Sequence, residues 1–568
     1  MLFMKLKGIQ KSFGDNEILK NINLEIQKGD RIGIVGNNGT GKTTLANIIA
    51  GKLIADKGSI EAVNENVTIG YLVQATDYTL EEFSEALLST AETDILEKTS
   101  RLGLSKMQKW DASKVQNLSG GEKTKLSLAK IWSMKPDFLI LDEPTNHLDF
   151  AGVEWLVNEI EKFVGTVLII SHDRYFLDQT VQKILEVEHG ESTLYTGNYS
   201  SYREEKERRY QVNLHQYETQ QKFKEQIELQ MANLQQWSQK AHSQSTKQEG
   251  FKEYHRVKAK KLDKQVKSKM KRLEKELEKN KVDKPLEKEE VRFNFKESHK
   301  RGKRIIEIKN GKKEFPGKLL FGNSHFYIKY GERIGILGEN GCGKSTLLRI
   351  LMDQDELSSG ELWKSDSLKI GYLSQEVTDL DEEITALDYL GLTEKEEISK
   401  ARTILANIGL SETKVSQPIS TLSLGQRTRL KLVKILVQEV DLLILDEPTN
   451  HLDLMSREML ENTLLEFEGT ILTVSHDRYF LEKMCDKLLV FESKQLKRVE
   501  MSLEEYQKRE NTNMPNKERE EELLVLGNEI SMLLGKLSLL SKDDPSYQEL
   551  DSKFLELTRR KRALLDQK

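Results

Sequence analysis

Short apolar runs, five or six residues long, punctuate the chain. RIGIVG (31–36), FLILDE (138–143) and TVLIISH (166–172) are rich in β-branched residues and do not alternate with polar ones. Such runs predict strands buried on both faces, as in a parallel sheet covered by helices. The stretch TTLANIIAG after the first run reads as a helix. The pattern then changes over residues 199–300. Ile227, Met231 and Leu234 step at helical spacing, as do Leu262, Val266, Met270, Leu273 and Leu277, in a background of Glu, Lys, Gln and Arg. Pro285 and Gly250 are the only breakers before Gly302. That composition predicts two long helices folded back as an antiparallel hairpin, joined near 238–254. A helix over 200–240 would reach roughly 60 Å.

The apolar runs belong to a duplication. GNNGTGKT (36–43) returns as GENGCGKS (338–345), LSGGE (118–122) as LSLGQ (422–426), and LILDEPTNHLD (139–149) and SHDRYFL (171–177) return unchanged at 443–453 and 475–481. Ser119 to Glu143 and Ser423 to Glu447 are both 24 residues, and each Glu precedes its His by 29. Four motifs held in register twice indicate a duplicated α/β domain. The boundaries expected are 1–198 and 301–511 for the two copies, 199–300 for the hairpin between them, and 512–568 for a C-terminal extension. In that extension 516–541 and 546–567 read as two helices around KDDP (542–545), with an apolar stripe of Leu523, Leu526, Ile530, Leu533, Leu534 and Leu537 and a basic end, RRKR, at 559–562.

Composition narrows the class. The 568 residues carry a formal charge of −5, so any basic site must be local. Cys342 and Cys485, far apart, make no disulfide framework and fit a reducing cytosol. No stretch approaches the ~18–20 apolar residues of a spanning helix, and no signal peptide is evident, so a cytoplasmic protein without membrane association is expected.

The repeated glycine loops predict phosphate sites. Gly36, Gly39 and Gly41 let the backbone of Asn37, Asn38 and Thr40 wrap a phosphate, and the helix beginning at Lys42, Thr43 and Thr44 points its positive end there. Gly338, Glu339, Asn340, Gly341, Cys342, Gly343, Lys344, Ser345 and Thr346 repeat the arrangement. Lys42 and Lys344 would reach the β- and γ-phosphates, and Thr43 and Ser345 would hold Mg²⁺. Asp142 and Asp446 close apolar strands, where a carboxylate is costly unless a cation awaits it. Glu143 and Glu447, expected on the other strand face, can polarise the attacking water. His172 and His476 are placed to donate to the γ-phosphate. An acid beside each Mg²⁺ ligand predicts hydrolysis of ATP at both sites.

These motifs together resemble the ATP-binding-cassette family over residues 1–505, because LSGGE/LSLGQ is the signature that separates it from other P-loop ATPases. The resemblance implies an α/β fold of two tandem P-loop cassette ATPase domains, joined here by a long helical hairpin. It implies that Ser119, Gly120 and Gly121 face the nucleotide on Lys344, and Ser423 and Gly425 the one on Lys42. It also implies that Gln74 and Gln375 sense Mg²⁺ and water, and that Phe13 and Phe315 stack on adenine. Leu424 stands where the family has Gly, so the two sites are expected to be unequal.

The hairpin separates soluble machines from transporter subunits. Between 240 and 272 twelve Lys/Arg face three acids, a local balance of +9. Trp237, His242, Phe251, Tyr254 and His255 interleave with Lys240, Lys247, Lys252, Arg256, Lys258, Lys260 and Lys261, a mixture suited to phosphates and unpaired bases. The layout resembles the F-type cassette proteins, and the tip sequence resembles the Vga/Lsa/Vml resistance group. That resemblance implies a monomer acting on the 70S ribosome, with the linker entering the tRNA exit site near rRNA and P-site tRNA. It further implies protection against lincosamides, streptogramin A and pleuromutilins. A housekeeping translation factor and a transporter-associated ATPase remain the alternatives.

Overall fold

The computed structural model describes residues 1–63, 67–73, 120–146, 148–247, 252–279, 303–374, 380–392, 394–407, 410, 412–438, 440–450, 452–510 and, in the tail, 526, 530, 533, 552 and 554–559. These form two compact units, built mainly on Met1–Arg292 and on Phe293–Lys568. Among the described residues no helix is long and apolar enough to cross a membrane.

In the first unit the hairpin β1 (Leu2–Phe13) and β2 (Asn16–Gln27) precedes β3 (Arg31–Val35), α1 (Lys42–Ile49), β4 (Lys57–Ala62), β5 (Ile69–Leu72), α2 (Gly120–Ser133), β6 (Phe138–Asp142), α3 (Phe150–Lys162), β7 (Thr166–Ile170), α4 (Arg174–Thr180), β8 (Lys183–Glu188) and β9 (Glu191–Thr196). The nine strands order as β4-β1-β2-β9-β8-β3-β7-β6-β5. β8, β3, β7, β6 and β5 run parallel, while β1, β2 and β4 form an antiparallel flap.

The non-alternating runs found in the sequence are buried on both faces for a simple reason. Ile140, Leu168 and Ile170 join α1 and the β1–β2 flap in one core, whereas Leu139, Leu141, Val167 and Ile169 join α2, α3 and α4 in another. Successive side chains point to opposite faces of a strand, so only an apolar residue at every position fills both cores.

The second unit repeats this order. The sheet β14 (Ile370–Leu373), β15 (Leu442–Asp446), β16 (Thr470–Val474), β12 (Arg333–Leu337), β17 (Lys487–Glu492) and β18 (Gln495–Val499) matches β5-β6-β7-β3-β8-β9 strand for strand. The flap is β11 (Lys318–Lys329), β10 (Arg304–Phe315) and β13 (Ser359–Lys364). Helix α7 (Lys344–Leu351) packs Leu347, Leu348, Ile350 and Leu351 between them. Helices α8 (Leu424–Val437) and α9 (Arg478–Met484) occupy the positions of α2 and α4, and the short α5 (Ala386–Leu390) and α6 (Lys395–Asn407) precede α8.

After β9 the chain enters α10 (Tyr199–Lys247), which packs on α11 (Lys252–Lys279). The first helix runs about seven residues past the expected 240, because nothing in 238–247 breaks it: the first glycine is Gly250. Ile227 and Val266, two of the predicted apolar positions, are buried in this otherwise polar pair. The root of α10 is held more firmly. Glu186, on β8, accepts from Tyr202 Oη at 2.6 Å and Tyr195 Oη at 3.1 Å and pairs with Lys206. The Tyr195 and Tyr202 rings meet edge to face with centroids 5.0 Å apart, and Arg209 lies over Tyr195. Of the expected C-terminal pair, the described positions are helical and Leu526 and Leu533 are buried, seven residues apart on one face. The KDDP turn and the basic end 560–562 lie outside the described residues.

Ile227→Ala or Val266→Ala should each weaken the helical pair by about 2 kcal/mol through lost apolar packing. Limited proteolysis should then cut within 199–279 sooner, with the cassettes unaffected.

Candidate functional site

Each glycine loop joins a buried strand to a helix whose first residue is the lysine. Gly41 and Gly343, the N-caps of α1 and α7, have φ of 95° and 116°, in the left-handed region. Gly36 leaves no room for a side chain, since a Cβ there would lie 2.3 Å from the Val187 carbonyl oxygen. The first turn of each helix, whose N–H groups have no intrahelical acceptor, therefore adjoins a loop that only glycine can make, which is what a phosphate requires. Lys42 Nζ donates to the carbonyls of Gly36 at 2.8 Å and Asn37 at 2.9 Å, and Thr40 Oγ1 to Asn37 at 2.9 Å. Lys344 repeats the contact with Gly338 at 2.7 Å and Glu339 at 3.2 Å. Burial lowers the Lys42 ammonium from its usual range, opposed by the charge of Glu143. A dianionic phosphate would restore it. Asn38, Gly39, Thr43, Glu339, Asn340, Gly341 and Ser345 are exposed at the loop and helix start, and Thr44, Cys342 and Thr346 are half-buried.

Asp142 and Asp446 end β6 and β15 and are buried. Burial raises the Asp446 carboxyl, while hydrogen bonds from Ser345 and from Tyr372 Oη, at 3.4 Å, pull it back. Ser345 and Asp446, the two residues expected to share a cation, are thus already in contact, and a buried carboxylate beside a hydroxyl fits Mg²⁺. Thr43 and Asp142 take the same strand and helix positions in the first unit.

Glu143 and Glu447 do not continue the strand to its opposite face, as alternation predicts. The strands stop at Asp142 and Asp446, and the glutamates adopt left-handed φ of 48° and 50°. A non-glycine residue so placed is strained, and strain of this kind gathers at functional positions. Each backbone N–H still donates to the neighbouring strand, Glu143 to Ile170 and Glu447 to Val474. Each side chain turns inward, where Oε2 accepts from the backbone N–H of His172 at 3.4 Å or His476 at 3.2 Å. The imidazole Nε2 atoms lie 3.7 and 3.5 Å from Oε1, which makes no hydrogen bond among the described residues. Burial pushes Glu143 up to about 7 and Glu447 to about 8. Burial, with Lys42 nearby, holds His172 well below its usual range and so neutral. A carboxyl near neutrality with one oxygen uncommitted can order a water and take its proton.

The remaining candidates divide. Ser423 caps α8 in a reciprocal capping box with Gln426, which keeps the helix N-terminus presented, and Leu424 is the first helical residue. Gly425 is buried, and Gly120 and Gly121 open α2. Gln74, Ser119 and Gln375 lie outside the described residues. Phe13 and Phe315 end β1 and β10 and are exposed, with Lys11 and Lys313 at 5.7 and 5.1 Å from the rings. On the linker Trp237, Lys240, Lys260 and Lys261 are exposed. His242 and Lys247 lie on α10, and Lys252, Tyr254, His255, Arg256 and Lys258 on α11. Phe251 lies outside the described residues. The sequence reading passed over Tyr372 and the aspartates Asp173 and Asp477. The latter cap α4 and α9 directly after the histidines, a signal present in SHDRYFL as an N-cap residue.

Two outcomes follow. Glu143→Gln with Glu447→Gln should lower ATP turnover by about 10²–10⁴-fold while nucleotide binding persists, measured by phosphate release and by equilibrium binding. The raised carboxyls also set a pH dependence. Their contribution to stability is complete below the ordinary carboxyl value of 4.5 and is lost as pH rises through about 7 to 8. The nucleotide-free double variant should therefore melt higher than the parent at alkaline pH, with the difference vanishing near pH 5.

Two family profiles, both described as ABC transporter, match residues 19–146 and 321–450, and 185–295. Among curated proteins the chain is 43% identical to the ribosome protection protein VmlR of Bacillus subtilis (strain 168), covering 98% of each. It is 31% identical to the ABC transporter F family member 5 of Arabidopsis thaliana, covering 86% of this chain and 75% of that one. It is 30% identical to the energy-dependent translational throttle protein EttA of Mycobacterium tuberculosis, covering 86% and 91%. The solved structure of RNase-L Inhibitor shares the fold at a TM-score of 0.59 and 20% identity, covering 89% of this chain and 92% of that one. Two cassettes with paired nucleotide-binding motifs, a helical pair between them and relatives matched nearly end to end place this chain in the F-type family of ATP-binding-cassette ATPases.

Proposed function

We propose that the protein is a cytoplasmic ribosome-protection ATPase that acts on the 70S ribosome as a monomer. The observation that carries this reading is the end-to-end likeness to the ribosome protection protein VmlR, linker included. In the ATP-bound state the hairpin α10–α11 enters the tRNA exit site. Its basic and aromatic tip, from Trp237 to Lys261, contacts rRNA and P-site tRNA and disturbs the site of drugs of the lincosamide, streptogramin A and pleuromutilin type. Hydrolysis then releases it.

The glycine loops and the buried acids support the following assignment of chemistry at the two sites. The glycine loops hold the phosphates through backbone N–H groups, and Lys42 and Lys344 neutralise them. Phe13 and Phe315 stack on the base, and the signature residues Ser119, Gly120, Gly121, Ser423 and Gly425 supply further phosphate contacts. When bound, Mg²⁺ offsets charge on the phosphates, held by Thr43, Gln74 and Asp142 or by Ser345, Gln375 and Asp446. Glu143 and Glu447 orient water and accept its proton, while His172 and His476 donate to the terminal phosphate. Leu424 makes the two sites unequal.

The likeness to EttA favours a second reading, a translation factor with no drug specificity. Both readings predict that the Glu143→Gln, Glu447→Gln variant cosediments with 70S ribosomes in ATP and not without it. Retention in the supernatant, or recovery with membranes, would overturn both. A rise of about fourfold or more in the minimal inhibitory concentration of a pleuromutilin or lincosamide on expressing the wild type supports protection, as expected for an ATPase that shifts drug occupancy. Unchanged susceptibility assigns the translation-factor role.

A further inference from the structure

We propose that the hydrogen-bonded pair Asp178–Ser200 is the joint through which the histidine end of the first nucleotide site governs the base of the linker helix, and that the second cassette lacks this joint. The inference rests on the reading of His172 as the residue that meets the terminal phosphate.

Helix α4 has seven residues and connects the two places directly. It starts at its N-cap Asp173, immediately after His172, where Asp173 accepts from the N–H of Phe176 at 3.0 Å. Phe176 and Leu177 are fully buried, so the helix moves with its surroundings as one body. In its last turn Asp178 grips Ser200, the second residue of α10. Oδ1 accepts from the backbone N–H at 2.7 Å and Oδ2 from the hydroxyl at 2.6 Å. That N–H is one of the donors a helix start leaves without an intrahelical partner, and a carboxylate there also meets the positive end of the helix. Both bonds are short and charge-assisted, the stronger sort. Asn198 caps the same turn independently, accepting from the Ser201 N–H at 3.1 Å and Oγ at 2.9 Å. The joint is thus additional to what the helix needs to begin.

The duplication supplies the contrast. The motifs and the helix that follows them recur at one constant spacing, so Ser502 corresponds to Asn198, Tyr506 to Tyr202, Glu482 to Asp178 and Glu504 to Ser200. The cap survives, since Ser502 Oγ accepts from the Glu505 N–H at 3.4 Å. The joint does not. Glu504 pairs with Lys508 on its own helix at 2.6 Å, and the Glu482 carboxyl is raised, first by burial and then by the charge of Glu504. Like charges stand where the first cassette has donor and acceptor. Between that short helix and the next, Arg478 donates to Gln507 over a long 3.4 Å. The cassette that carries the linker has the attachment, and the one that carries the tail has a repulsion.

Hydrogen exchange of the full chain bearing Glu143→Gln and Glu447→Gln, with ATP and without nucleotide, tests this without ribosomes. The glycine loop, residues 36–43, reports nucleotide binding. In this parent, ATP should slow exchange in 174–180 and in 203–215 together, by about tenfold. Adding Asp178→Ala should leave the responses of 36–43 and 174–180 intact and cut that of 203–215 to about a third or less. Ser200→Ala, which removes one of the two bonds and leaves the Asn198 cap, should fall between. Glu482→Asp with Glu504→Ser should give 503–510 an ATP response it lacks in the parent. If Asp178→Ala melts far below the parent, Ser200→Ala and the transplanted pair decide. An unchanged response of 203–215 in the variants, or none in the parent, overturns the joint, whatever the outcome of ribosome cosedimentation.

Discussion

A carboxylate at the end of a strand buried on both sides is expensive unless something positive is expected there, and both cassettes are organised around that cost. Asp142 and Asp446 sit, buried, where β6 and β15 emerge from apolar cores, and Glu143, half-buried, and Glu447, buried, follow them directly. The raised carboxyl values of Asp446, Glu143 and Glu447 are the direct expression of desolvation. Everything near them answers it. The lysines fold over glycine loops, the histidine backbone donates to the glutamate, and hydroxyls of Ser345 and Tyr372 approach Asp446. The core exists to hold these groups out of water, so the same packing that makes the fold stable makes the site reactive.

How far this was visible beforehand depends on whether a residue's role is local. The glycine loops were legible because backbone geometry admits almost nothing else at Gly36 or Gly41. The parallel strands were legible because burial on both faces forbids alternation. The hairpin was legible from the helical step of its sparse apolar residues. By contrast, the position of Glu143 was misread: strand alternation assumes the strand continues, and the left-handed turn at φ 48° ends it one residue earlier. The anchoring of α10 was invisible for another reason. Glu186 looks like a surface residue of a strand, and Tyr195, Tyr199 and Tyr202 look like ordinary amphipathic positions. Only the crossing of β8, β9 and α10 brings the carboxylate and the phenols together.

The duplication also shows which features a cassette needs and which are local additions. The glycine loop, the strained glutamate and the capped histidine helix appear in both copies with nearly the same numbers. The root of the following helix does not. One copy surrounds it with tyrosines and a buried glutamate, the other with Leu503 and a row of glutamates.

The uninterrupted length of α10 has a geometric consequence. Its 49 residues amount to a rod of about 70 Å, with no proline or glycine within it at which to bend. Its buried, aromatic end is also its pivot. A tilt of about 5° at that end, which needs side chains at the root to shift by only a fraction of an ångström, displaces the far end by about 6 Å, wider than the rise of a helical turn. Rearrangements at the scale of one hydrogen bond near Glu186 are thereby converted into movements at the scale of a nucleotide.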